Sequence, residues 1–343
     1  MNAKLKKTLR YVLSIALAAG LIWYTCSKVD WSSFASNMAS CRWGYILLAM
    51  AIGACAALLR GLRWRCLLLP LAPEIKRRTP ILGFCIAYLS NMTIPYSGEL
   101  LRCGYISSEA RIPFDKTLGT LALERVWDLF TMILLLLLAL ALGAGQFGAF
   151  FSSWISGSLS GSPLLVLALI FALAAAVIWA IARLRHAPGA PGRLCAKAYD
   201  FLRGLWSGFT TCLRMPHKGL FILYTVLIWS TYWLQSWCTI QALQGPFSHF
   251  TLVDALCISL IGSLAAVLPA PGGFGTYHAL VQFALSTVCF QGLMGLDVTT
   301  SDSLGLTYAV LAHEPQAVVQ ILLGVSALVI LAIRRRKTNP TKS

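Results

Sequence analysis

Long apolar runs separated by clusters of basic residues constrain this chain more than any other feature. Nine runs lie at about residues 8–26, 44–59, 79–95, 118–142, 163–182, 219–243, 250–269, 271–290 and 303–333. Each approaches the length a helix needs to enter or cross a bilayer. Of the 343 residues, 58% are hydrophobic and 12% charged, more apolar surface than a soluble core can hide. The class is an all-α polytopic membrane protein. A net charge of +16 would suit nucleic acid, but the charges sit in short loops between apolar runs, where anionic lipid attracts them. No nucleic-acid partner is expected.

The basic clusters set the topology. They are Lys4, Lys6, Lys7 and Arg10; Arg60, Arg63, Arg65, Lys76, Arg77 and Arg78; Arg183, Arg185, Arg193, Lys197, Arg203, Arg214 and Lys218; and Arg334, Arg335, Arg336, Lys337 and Lys342. The positive-inside rule puts all four regions, and both termini, in the cytoplasm. Residues 143–162, 244–249 and 291–302 lack Lys and Arg and face outward. Residues 79–116 must then begin and end inside, and 250–290 begin and end outside. Each is a hairpin. The first has a short leading arm and charged residues on its return arm, which favours a re-entrant hairpin. The second has arms of about 20 residues, which fit a re-entrant or a spanning form.

This layout reads helix, helix, hairpin, helix twice over, in opposite orientations. The first repeat is 1–162 and the second 163–343, with about six spanning helices and two Pro/Gly-broken hairpins in one membrane domain. Inverted repeats with broken segments at matching positions are a common plan of secondary transporters. "IPYSGELLR" (94–102) and "LPAPGGFGTYH" (268–278) echo one another as apolar-Pro-x-x-Gly. Within 183–218, Leu194, Ala198, Phe201, Leu202, Leu205, Phe209 and Leu213 recur near i, i+4 spacing, as in a helix lying on the cytoplasmic interface. Its simplest role is to join the repeats.

Ionisable groups at membrane depth mark either a pathway or an internal ion pair. Glu124 and Asp128 share one helix face beside Arg125, leaving one negative charge that Arg102 on the first hairpin can balance, with Glu99 a turn before it. This set reads as a charged cavity for a lipid head group or proton relay, or as a salt-bridge network locking hairpin to helix. His313 and Glu314 precede Pro315, which removes a backbone hydrogen bond and kinks the last helix, and Gln316 and Gln320 share a face there; the group reads as the lining of a head-group cavity, or His313 as a satisfied core residue. His278 is either a proton carrier or a hydrogen-bonded core residue. The hairpin tips expose backbone polar groups at Pro95 and Gly98 and at Pro269, Pro271, Gly272, Gly273 and Gly275. A helix starting near Gly272–Gly275 would turn free N–H groups toward an anion such as a phosphate; the same small residues also suit tight helix packing. The 11 cysteines show no ligand spacing, so no metal or cofactor is expected.

Four stretches together carry a resemblance: "LRGLRWRCLL", "SNMTIPYSGELLRCGYI", "LALERVWDL" and "LPAPGGFGTYHAL". They are similar to the lysylphosphatidylglycerol synthase transmembrane region, or flippase-like domain, over nearly the whole chain. The resemblance implies a domain that moves lipids between leaflets. By match, Glu99, Arg102, Glu124, Arg125, Asp128, Pro271, Gly272, Gly273 and Gly275 would be its functional positions. The chain departs from the family pattern at His278, where Glu is common, and at Tyr96–Ser97, where a basic residue often stands. The family also includes proteins with a soluble aminoacyl-transferase domain, which the residues after the last run have no room for, so lipid aminoacylation is not expected.

The reading is a non-enzymatic lipid transporter of the bacterial inner membrane. It would move or bind an anionic phospholipid or a polyprenyl-phosphate-linked lipid, without ATP, since no GxxxxGK[ST] motif is present. Two rivals remain: a non-transporting scaffold for an envelope-lipid enzyme, and an intramembrane lipid-modifying enzyme.

Overall fold

The computed structural model describes residues 29–142 and 190–338 continuously, with scattered positions at 16–27, 147–148 and 179–185. The first predicted segment (8–26) and the fifth (163–182) therefore lie almost wholly outside the described residues. Among the described residues there is no strand. The helices are α1 (Trp31–Ala39), α2 (Trp43–Leu68), α3 (Arg78–Asn91), α4 (Ser97–Ala110), α5 (Phe114–Ala141), α6 (Ala190–Cys212), α7 (Lys218–Ala242), α8 (Leu252–Ala265), α9 (Thr276–Phe283) and α10 (Val298–Thr338). A π segment, Ala284–Gln291, continues α9.

Over Trp43–Leu68 and Val298–Arg334 the chain is long and apolar enough to cross a membrane by length and composition. The 28-residue α5 and 25-residue α7 have the length, but α5 carries Glu124, Arg125 and Asp128 within its apolar stretch and α7 carries Gln235 and Ser236. The surface of these helices is what a lipid solvent permits: Leu129, Phe130, Ile133, Leu134 and Leu137 of α5 and Leu322, Val325 and Val329 of α10 are all exposed. Exposed Trp31, Trp43 and Tyr45 gather at the start of α1 and α2, as in an aromatic interface belt.

Both expected hairpins form. In the first, α3 and α4 are 14-residue arms joined by a turn at 92–96. In the second, the 14-residue α8 is joined through 266–275 to α9. At about 1.5 Å per residue the three 14-residue arms are about 21 Å long, short of the about 30 Å hydrocarbon core, and α9 with its π continuation runs over 276–291. The second hairpin's arms are shorter than the sequence suggested for two reasons. A capping box between Thr251 and Asp254 starts α8 only at Leu252, and the chain leaves the helix after Ala265.

The two tips touch. Tyr96 sits at a left-handed φ of 58°, unusual for a non-glycine residue, and its hydroxyl donates to the Val267 carbonyl of the other tip at 2.5 Å. Gly272 also has a positive φ (58°), and a Cβ there would fall 2.7 Å from the Met92 sulfur of the first tip. Gly98 is required for a different reason. An added Cβ would collide with the Ala87 carbonyl across the hairpin, while its own N–H donates to Asn91 Oδ1 at 2.7 Å. For Gly98 the tight-packing role is therefore the one with a visible cause.

Three apolar clusters form among the described residues, two of them large and a smaller one of Leu82, Cys85, Ile86 and Ala327 between α3 and α10. Of the large clusters, one gathers Phe247, Phe250, Phe290 and Tyr308 between α7, α8 and α10. The other gathers Trp64, Leu67, Phe84, Ile106 and Phe221 between α2, α3, α4 and α7. Helix α7 packs chiefly along α2, and α10 crosses α1, α2, α3 and α9. The amphipathic segment is the helix α6, shifted a few residues from the periodicity, and it lies against α5. At the end expected to face outward, Asp297 accepts from the Thr300 N–H (2.9 Å) and the Thr299 hydroxyl (2.7 Å) ahead of α10. Those donors hold its carboxyl down at about 2.

Two substitutions test the tip contact. Tyr96→Phe removes the inter-tip hydrogen bond and should cost about 1 kcal/mol. Gly272→Ala, forced into a left-handed conformation against Met92, should cost about 1–2 kcal/mol. Thermal denaturation of the purified protein reads both losses.

Candidate functional site

The first site is organised by one carboxylate. Glu124 on α5 has no exposed surface, and a bare carboxylate there would be expensive. Three arginines compensate it. Arg102 of the first hairpin reaches Oε2 at 2.9 Å, while Arg63 and Arg60 of α2 reach Oε1 at 3.3 and 3.8 Å. Arg63 also pairs with Asp128 at 2.6 Å. The Arg102 guanidinium lies over the rings of Phe84 and Trp64, 4.1 and 4.4 Å from their centroids, which adds cation–π attraction in a dry setting. Trp64 is fixed by an Nε1–H donated to Thr120 one turn before Glu124 (2.8 Å).

Arg60 and Arg63 correct the loop reading. They count as cytoplasmic loop charges in the sequence, but α2 runs on to Leu68 and carries both inside the protein. Arg63 is 1% exposed. They are three apart on one face and meet Glu124, so the helix continues because its charges have a partner. Arg125 and Glu99, expected in the same cluster, form their own outer pair at 3.3 Å, with Arg125 about half exposed. Arg102 takes the role proposed for it. Counting all members, four guanidiniums face three carboxylates, so the cluster carries one positive charge in excess.

That excess borders a cavity of about 450 Å³. Arg60, Arg125 and Asp128 line one part of its wall; Tyr277, His313, Gln316 and Gln320 line another, with Ser259, Ser263 and Val267 of the second hairpin between. Gln316 reaches across to donate to the Ala49 carbonyl at 2.9 Å, an approach that Gly53 permits because any Cβ there would overlap the Gln316 amide. Gln235 and Tyr232 on α7 also line the space. Gln235 is a polar residue in an apolar run, a signal that the sequence reading passed over.

At the second tip the structure joins residues that the sequence left separate. His278, on α9, is 6% exposed and lies 3.0 Å through Nε2 from Glu314 Oε1 on α10. His313 Nδ1 is 3.4 Å from the same oxygen, and its Nε2 is 3.0 Å from the Gly272 carbonyl. Helix α10 runs through Pro315 beside them as one element. Of the tip amides, Gly273 N–H is spent on the Ala270 carbonyl and Phe274 N–H on that of Pro271, so these two close the turn around Pro269 and Pro271 instead of facing a ligand. Gly275 has a positive φ of 79° and precedes the first residue of α9. Pro95 lies in the turn just before Tyr96.

Removing the central carboxylate separates the roles of the two ion-pair groups. Glu124→Gln leaves Arg102 buried without a counter-charge, while Arg63 keeps Asp128, and should cost about 3–5 kcal/mol. Arg125→Ala breaks only an exposed pair and should cost under about 1 kcal/mol. Melting curves in detergent distinguish the two.

Residues 11–324 match the family described as the lysylphosphatidylglycerol synthase TM region. The glycosyltransferase AglD of Haloferax volcanii is 24% identical over 302 residues. That match takes in 80% of this chain and 47% of AglD, so the chain spans about half the length of that relative. No solved structure matches the chain. With its buried charge network, its paired broken hairpins and a match over nearly its whole length, this chain is a membrane protein that belongs to the lysylphosphatidylglycerol synthase transmembrane-region family.

Proposed function

We propose that the protein translocates a lipid with a phosphate-bearing head group, an anionic phospholipid or a polyprenyl-phosphate-linked lipid, across the bacterial inner membrane, with both termini cytoplasmic. The observation that carries this reading is the cavity of about 450 Å³ that α2, α5, α7 and α10 enclose with the second hairpin, with Arg60 and Arg125 on its wall and a surplus guanidinium charge behind it. Pockets of this size hold small-molecule groups. A phosphate entering it meets a positive charge in a low-dielectric setting, where the attraction is strong. The acyl chains would remain in the bilayer against exposed α5 and α10. Two short hairpins in contact at their tips are elements that a rocking motion of inverted repeats 1–162 and 163–343 would separate. The lipid would leave chemically unchanged.

A second reading is favoured by one observation. The chain corresponds to 47% of a protein named as a glycosyltransferase. On that reading it is a membrane module that works beside an envelope-lipid enzyme and moves nothing itself.

Reconstitution tests the choice. In proteoliposomes with a fluorescent anionic phospholipid, the protein should raise the rate at which outer-leaflet quenching reaches inner-leaflet label. Arg125→Glu, which reverses a charge on the cavity wall without touching the buried Glu124 pairings, should reduce that rate by at least about tenfold, as expected of about 1.4 kcal/mol. A wild-type rate equal to that of empty liposomes would favour the module reading.

A further inference from the structure

The cluster at the foot of the second tip has donor chemistry that the lipid reading does not use. His278, His313 and Glu314 each offer one ligand atom, and these atoms lie within 4.8 Å of one another. A backbone carbonyl can only accept, so the His313 Nε2 beside the Gly272 oxygen carries the proton. A neutral ring with its proton on Nε2 turns its Nδ1 lone pair toward Glu314 Oε1, 3.4 Å away. His278 Nε2 meets that oxygen at 3.0 Å, and His278 Nδ1 is buried with no hydrogen-bond partner among the described residues. Two imidazole nitrogens and a carboxylate oxygen thus converge on one point, a donor set that suits a cation.

We propose that His278, His313 and Glu314 bind a divalent transition-metal ion, with Zn2+ the best-suited occupant. This inference does not rest on the lipid-transport reading. Metal–ligand bonds of about 2.0–2.2 Å at tetrahedral to octahedral angles separate neighbouring ligand atoms by about 2.9–3.5 Å, which the two His–Glu314 separations of 3.0 and 3.4 Å match. Two imidazoles and one carboxylate suit zinc or iron(II) and are a poor match for Mg2+ or Ca2+, which favour all-oxygen shells. The bond from His313 Nε2 to Gly272 is the outer contact that commonly orients a metal-bound imidazole. Phe274 and Tyr277 pack on the His313 ring, 5.0 and 5.1 Å between centroids, and hold it in place. The cluster stands at a wall between two spaces. His313 faces the large cavity, and His278 and Glu314 line a smaller one of about 190 Å³ under α1. Three protein ligands leave a fourth position open to an exchangeable oxygen. A bound dication would place positive charge in the large cavity apart from Arg60 and Arg125.

Neither the composition nor the spacing pointed here. His313 and Glu314 are sequence neighbours and His278 is on another hairpin arm, so no ligand spacing exists to be read.

The test uses the full chain, purified without a histidine tag and stripped with a chelator. Titration with Zn2+, and with Co2+ as a visible probe, should reach one ion per chain, and binding should weaken on acidification as protons compete. His278→Ala, His313→Ala and Glu314→Gln should each weaken Zn2+ binding by at least about tenfold. His249→Ala, outside the cluster, should leave it unchanged. Binding of less than one ion, or an affinity unaltered in all three variants, overturns the proposal. If a variant fails to elute as folded protein, the wild-type Co2+ spectrum decides. Bands without thiolate charge transfer support the site; strong thiolate bands assign the metal to cysteine and overturn it.

Discussion

The structure is arranged around one buried carboxylate. Glu124 sits where neither water nor a lipid head group can solvate it, and an isolated charge there would not survive folding. It is retained because three arginines from two other elements converge on it. That requirement fixes the register of α2 against α5 and seats the first hairpin against both. The aromatic rings of Trp64 and Phe84 are placed by the same need, since Arg102 lies across them. A network of this type specifies an arrangement more than it adds net stability, because desolvating each ion offsets much of the attraction.

The hairpin tips turn this local arrangement into a cavity. The 14-residue arms α3, α4 and α8 are shorter than a bilayer crossing, and the two tips meet at Tyr96, Val267, Met92 and Gly272. Unwound backbone at membrane depth is tolerated only where such contacts or a polar space receive it. The space beside the tips is bounded by arginines on α2 and α5 and by the amides and imidazole of α10. The exposed Arg125–Glu99 pair is the part of the charge network best suited to respond to a ligand, since its members are not locked by burial.

Much of the architecture was legible in the chain. The two hairpins and the special status of Glu124, Arg102 and the Pro-Gly-Gly tip follow from apolar run lengths, from loop charges and from the cost of ionised groups in hydrocarbon. The failures have physical causes. Arg60 and Arg63 were read as loop charges because a positive cluster after an apolar run is usually solvated; only the partner on α5 shows that the helix continues. Glu99 belongs to the network at its outer side, through Arg125, because residues on neighbouring helices choose partners by side-chain direction as well as by proximity in sequence. The tip amides of Gly273 and Phe274 looked free because a turn's internal hydrogen bonds are set by φ and ψ, which residue identity limits without choosing.

The sequence by itself determined that this chain is helical, membrane-bound and broken at two places, because hydropathy and loop charge act over whole segments and need no knowledge of neighbours. Only the tertiary structure decided which charges meet, that Tyr96 bridges the two tips, and that His278 joins His313 and Glu314 on another helix. Those outcomes depend on distances of about 3 Å between residues far apart in the chain, and no periodicity along one segment encodes them.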